Sequence, residues 1–283
     1  MSISKLRKVY PYIDERMKDI SWRKVSESTF KQAIKQKQVT CNCYLNATKT
    51  ALYNSKIGRE ILSKRIRIES CSRPDPTYKI VLSPNGKKEV YRIDDSDYFD
   101  KYLSIYKKYN PDLFKSIDFN KSGARNLNIA LDIAVAKMIK KHPTQKPWYM
   151  RIYDWPFNKN YEYNKPSRAF EWLTGIKPVS IGENGLKTNL VEKADEVLAL
   201  LNKLGNSSPE DYSFIIMTGG KKSPFAEKWH CLPVLKVDNE KEVVDVIDKR
   251  KNTKFQIHFV SILKYFKSII GINWKEQSIK EPK

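Results

Sequence analysis

The 283-residue sequence predicts an α+β fold, helical over its first two thirds and sheet-rich over its last. Three observations carry that reading. Residues 43–66 and 122–141 set apolar side chains three and four apart, the period of an amphipathic helix. After Tyr212, three runs rich in β-branched residues are separated by turn residues, as in antiparallel strands. Between two strand-like runs, Ser83-Pro84-Asn85-Gly86-Lys87-Lys88 is a hairpin signal. The expected organisation is an N-terminal lead-in over 1–33, a helical lobe over 34–205 and a β-rich lobe over 206–283.

In chain order, residues 1–30 are polar with helical spacing at Leu6, Tyr10, Ile13 and Met17, interrupted by Pro11. Ser28 or Ser26 supplies an N-cap for a short helix reaching Ile34. Residues 43–66 predict one long helix, or two broken near Asn54. Tyr78–Leu82 and Glu89–Ile93 predict the two strands of the hairpin, and residues 94–119 short helices around Tyr98–Tyr109. Residues 122–141 predict the second strong helix, with Leu127, Ala130, Leu131, Ala134, Val135 and Met138 as its stripe. A Lys-rich, Pro-broken loop follows over 140–165. A short helix stopped by Gly175 and an amphipathic helix over 189–204 complete the first part. Strands are expected at 213–217, 232–237 and 242–247, then a closing helix over 255–270 with Val260, Leu263 and Phe266 inward.

Composition bounds the function. With 40% hydrophobic residues, 16 Tyr and 6 Trp, the chain can bury a large core. Its 53 basic and 32 acidic residues leave a net charge of +21, which attracts anionic partners non-specifically. The lysines are spread without a block, so they read as a solvated surface and not as a binding code. The N-terminal run lacks the apolar centre of a secretory signal, and no run is long enough for a membrane span. The expected location is cytoplasmic, or inside a host cell reached without a cleaved signal. Cys41, Cys43, Cys71 and Cys231 are then expected as thiols. Cys41-x-Cys43 has no second Cys/His pair at zinc spacing, so no metal and no cofactor is expected.

The chemistry centres on Cys43. A polar run ends at Asn42 and the helical pattern starts at Cys43, placing this thiol in a first turn. The unpaired N–H groups and dipole there favour an anion, so the thiolate is promoted. A cysteine nucleophile needs a base, and the base an orienting group. Of three histidines, His142 lies in the basic loop and His258 between Ile257 and Phe259, whereas His230 stands at the start of a strand that can hold it rigid. Asp248 lies 18 residues after His230, at the end of the next predicted strand, and a hairpin of that length returns it to His230. Asp245 alternates with the apolar face and is less suitable. An oxyanion would be held by the Cys43 N–H and a side-chain amide upstream, for which Gln36 and Gln38 are both candidates.

These residues resemble the calpain-like branch of the papain-fold cysteine proteases. Val39-Thr40-Cys41-Asn42-Cys43-Tyr44-Leu45-Asn46-Ala47 is similar to that family's nucleophile motif. Gly58-Arg59-Glu60-Ile61-Leu62, Leu173-Thr174-Gly175, His230, Val246-Ile247-Asp248 and Leu263…Tyr265-Phe266 follow in the family's order. The resemblance spans roughly residues 34–272. The chain departs from the pattern at Lys37 and Trp229, where the family has glycine, and at Leu232-Pro233.

The resemblance implies a papain-like two-lobed fold, with a helical left lobe around a central nucleophile helix and an antiparallel β-sheet right lobe. It implies a cysteine endopeptidase acting on protein or peptide substrates through Cys43, His230 and Asp248 and a thioester. The same site would serve another acyl transfer on a host protein, by a glutamine deamidase, transglutaminase or acyltransferase. A different class, a basic nucleic-acid-binding protein, would stack bases on Trp148, Tyr149 or Trp155 of the 140–165 loop.

Overall fold

Local signals set most of the boundaries. In the computed structural model, which describes residues 22–36, 43–69, 77–94, 124–142, 165–182, 190–219 and 223–277, helix α1 (Glu27–Ile34) starts where Ser26 accepts from Thr29 N at 3.2 Å. Helix α2 (Cys43–Asn54) buries residues on every side, the mark of a helix inside a core. Two of its buried polar side chains find partners, one within the helix and one far along the chain: Thr48 Oγ1 donates to Tyr44 O at 2.8 Å and Lys49 Nζ to Asp132 Oδ1 at 2.6 Å. The expected break falls at Ser55, whose Oγ caps α3 (Lys56–Arg65) by accepting from Gly58 N at 3.0 Å. A Cβ on Gly58 would stand 2.4 Å from Leu52 O, so only glycine allows the two helices this approach. Arg59 closes the end of α2, donating to the Tyr53 and Asn54 carbonyls at 2.9 Å each.

Helix α3 runs directly into a four-stranded antiparallel sheet of β1 (Trp22–Lys24), β2 (Ile66–Glu69), β3 (Tyr78–Leu82) and β4 (Glu89–Ile93), in that order. The β3–β4 hairpin has the predicted bounds, with Asn85 and Gly86 at positive φ in the turn. Helix α4 (Ala124–Lys141) packs on β3 and β4. Helix α5 (Pro166–Thr174) ends at Gly175, which takes φ +77 and donates to Glu171 O at 2.7 Å.

The second sheet has six antiparallel strands in the order β5 (Val179–Ile181), β10 (Phe266–Asn273), β6 (Tyr212–Thr218), β7 (Cys231–Asp238), β8 (Val243–Asp248) and β9 (Thr253–His258). Strand β6 reads as a continuous apolar run because both its faces are covered. Ile215 joins the core formed by α1 to α5 and the first sheet. Phe214 and Ile216 join a second core with α6 (Ala194–Gly205) and α7 (Phe259–Tyr265). Helix α6 thus packs on the second sheet although it precedes residue 206. The end of α2 is tied to this sheet by Asn54 Nδ2 donating to Leu235 O at 2.9 Å and by the Ser55–Ser213 hydroxyl pair at 2.7 Å.

The closing helix expected over 255–270 is a correction. Those residues form the end of β9, the short α7 and the start of β10. The period-three spacing of Val260, Leu263 and Phe266 coincides with a seven-residue helix only, and Val260 is 69% exposed. Non-local pairing decides the rest: Ile270 lies opposite Ile215 and Ile269 opposite Ile181. The first part is also less helical than expected, since β1 and β2 extend the hairpin into a full sheet. The described residues thus form an α+β fold of seven α-helices and two antiparallel sheets. None of these helices is long and apolar enough to cross a membrane. The elements expected over residues 1–21, over 95–119 and over most of the 140–165 loop, with Trp148, Tyr149 and Trp155, lie outside the described residues.

Candidate active site

The site forms where the start of α2 meets the start of β7. Cys43 is the first residue of α2 and is partly exposed. Its sulfur lies 3.6 Å from Trp229 O. His230 directly precedes β7, and its backbone is clamped to β6: His230 N donates to Thr218 Oγ1 at 2.8 Å and Thr218 N to His230 O at 2.9 Å. The imidazole is therefore held by two strands and is only 3% exposed.

Asp248 ends β8, beside the start of β7, because these strands pair antiparallel from Asp238–Val243 to Val234–Val246. His230 Nε2 donates to Asp248 Oδ1 at 3.2 Å. The same oxygen accepts from Arg250 N at 2.8 Å and Lys251 N at 3.4 Å, so the turn after β8 fixes the carboxylate. With Nε2 committed to Asp248, Nδ1 is the ring nitrogen left to meet the Cys43 sulfur, with which the imidazole interacts.

Electrostatics favours charge separation in this row. Burial alone would depress the His230 pKa, but hydrogen bonds with Asp248 and Cys43 outweigh it and hold the pKa at about 9. Burial would raise Asp248, yet the His230 contact and the two backbone donors bring it down to about 2. The Cys43 thiol is lowered well below its ordinary range, first by hydrogen bonding from the Cys231 side chain, against the cost of burial, and then by His230. As a thiol Cys43 donates to Trp229 O; as a thiolate it accepts from Cys231 and His230. Such a row can supply a preformed nucleophile, a proton donor and an orienting anion.

Cys43, His230 and Asp248 are brought together as the sequence suggested. Gln36, beyond the end of α1, accepts at Oε1 from Asn128 Nδ2 at 3.2 Å, which ties it to α4. Gln38, Cys41 and Cys71 lie outside the described residues. His142 is at the first sheet, 2.8 Å from Glu89 Oε1, and His258 is an exposed cap of α7. Asp245 faces outward and accepts from Gln256 Nε2 at 2.9 Å. Among the described residues no group of three or more His, Cys, Asp or Glu could hold a metal ion.

Three contributors were not read from the sequence. Cys231 faces α2 from β7 and packs in the same core as Cys43. Lys249, buried beside Asp248, donates to Ile34 O and so secures the end of α1 to the site. Trp229 takes φ +58, a left-handed backbone favoured by glycine, at the position where the resemblance expects one. That mismatch was the one available signal.

With the geometry in place, the chain was compared with known proteins. No family model matches it, and no curated protein sequence matches it. The functional reading therefore rests on the site itself.

Proposed function

We propose that this protein is a cysteine endopeptidase of papain-like, two-lobed architecture, similar to the calpain-like branch, which cleaves protein substrates through Cys43, His230 and Asp248. The observation that carries the reading is the row of thiol, buried imidazole and buried carboxylate, each held by a different element. The helix start and the adjoining ends of β7 and β8 meet as the two sides of a groove would.

The Cys43 thiolate attacks the scissile carbonyl, and the negative charge moves to the carbonyl oxygen. The Cys43 N–H, with the amide of Gln36 or Gln38, would receive that oxygen; one such donor is worth about 100- to 1,000-fold in rate. The His230 imidazolium passes its proton to the leaving amine as the C–N bond breaks. A thioester remains on Cys43. His230, now neutral, takes a proton from water, which attacks the thioester and restores the thiolate–imidazolium pair. Asp248 keeps Nδ1 directed at sulfur and stabilises the charged ring throughout.

The test is labelling with a peptidyl electrophile that acylates or alkylates active thiols. Label confined to the Cys43 peptide, and absent from Cys43→Ala, supports the reading. Label carried instead by Cys41, Cys71 or Cys231 contradicts it. Incubation of a labelled candidate protein, followed by mass spectrometry, separates cleavage from deamidation by their mass changes.

A further inference from the structure

The residue whose backbone carbonyl meets the thiol carries an aromatic ring, and a lysine lies over that ring. Trp229 N donates to Gly219 O at 3.2 Å, while its carbonyl approaches the Cys43 sulfur at 3.6 Å. Its φ of +58 is costly for a bulky residue, on the order of 1–2 kcal/mol. Burial does not repay that cost, because the side chain is 45% exposed. Strain of this kind, held next to reactive groups, is a mark of a functional position.

Lys267 Nζ stands 4.7 Å from the centre of the Trp229 ring. Lys267 lies at the irregularity in β10, where pairing with β6 shifts between Phe266 and Ser268, so the strand presents it off the regular ladder. Among the described residues it makes no ion pair with a carboxylate. Partial burial, then the like charge of Lys165 at the start of α5, disfavours its protonated form. An anion delivered to this spot would relieve both effects.

We propose that Trp229 and Lys267 form the subsite for an acidic side chain of the peptide lying across Cys43. The proposal rests on the nucleophile reading above and names the substrate class it implies. Residues of an extended peptide are spaced by about 3.3 Å, so a side chain one or two positions from the scissile carbonyl comes within reach of the ring carried by the residue whose carbonyl meets the sulfur. Its methylenes lie on the indole and its carboxylate pairs with Lys267. The net charge of +21 draws acidic segments toward the protein as a whole, and the subsite gives one of their side chains a place to pair.

Iodoacetamide and iodoacetate test this without a known substrate. In both, the Cys43 sulfur forms a bond to the methylene carbon and iodide leaves; only the second carries a carboxylate. The ratio of iodoacetate to iodoacetamide rates at Cys43 is expected to fall about threefold at low ionic strength in Lys267→Gln. Lys267→Arg is expected to keep it, and added salt to lower it in the wild type. A ratio unchanged in Lys267→Gln overturns the subsite. Failure of Cys43 to react with iodoacetamide at all overturns the nucleophile reading instead, so the two failures are distinct. In digests of a peptide library, Asp or Glu is expected near the cleaved bond for the wild type and is lost for Lys267→Glu; equal cleavage of acidic and neutral peptides by the wild type contradicts the proposal.

Discussion

Asp248 Oδ1 accepts from His230 Nε2 at 3.2 Å, and both side chains are almost sealed from solvent. The carboxylate holds the ring in one tautomer and one orientation and offsets the cost of burying an imidazolium. Asp248→Asn keeps the shape and removes the charge. His230 should then titrate well below about 9, and the thiolate should lose its counter-ion. Cys43 alkylation near pH 6 is expected to slow by about tenfold or more, with less effect near pH 9, where thiolate forms without help.

The same pair links stability to pH. His230 is raised above its ordinary pKa of 6.5, so its contribution is complete below that value and is lost as pH rises through about 9. Asp248 is lowered from 3.8 to about 2, so its contribution is present above pH 3.8 and is lost as pH falls toward 2. The stability difference between wild type and Asp248→Asn should therefore be largest between about pH 4 and 6.5. Denaturant titrations across pH check this; a difference that grows above pH 9 would contradict the assignment.

The hydrogen bond from the Cys231 side chain is the largest single influence that lowers the Cys43 pKa. Cys231→Ala removes its thiol donor while β7 remains paired with β6. The midpoint of the Cys43 alkylation–pH profile should move up. An unmoved midpoint would mean that His230 alone sets the thiolate.

Trp172 should be far more costly to truncate than Trp229. Trp172 is 1% exposed in the first core, and Trp172→Ala is expected to cost about 3–5 kcal/mol. Trp229 is largely outside the core and strained, so in Trp229→Gly the relief of about 1–2 kcal/mol in backbone strain offsets the lost ring contacts and the added chain entropy. Its net change is expected within about 1 kcal/mol of zero by equilibrium denaturation.

Lys49, in the helix that carries Cys43, forms a buried pair at 2.6 Å with Asp132 of α4. Removing one partner alone, as in Lys49→Met, leaves an uncompensated charge and should cost about 3–5 kcal/mol. The double change Lys49→Met with Asp132→Leu should recover most of it. A double variant no better than the single one would show that the pair does more than neutralise itself.

Much of this arrangement was legible in the residues. The break at Ser55, the β3–β4 hairpin and the Gly175 stop follow from caps and turns that act within a few residues. Asp248 could be preferred to Asp245 because it stands at a strand end, where polar residues are expected; Asp245, read with the apolar side of the strand, instead meets Gln256 at the surface. Strands β5 and β10 were hidden because their partners lie far away in sequence, and local spacing at Val260 and Leu263 imitated a longer helix. Cys231 and Lys249 were hidden for the same reason: each acts on an element separated from it by most of the chain.

The most direct measurement is the iodoacetamide alkylation rate of Cys43 at pH 6, followed by peptide mass spectrometry, in the wild type and in His230→Ala. An ordinary thiol, with a pKa of about 8.5, is almost wholly protonated there. The thiolate–imidazolium pair predicts fast modification of Cys43 in the wild type and a loss of about 100-fold in His230→Ala. A Cys43 that reacts no faster than a free thiol, or that is indifferent to His230, would contradict the account.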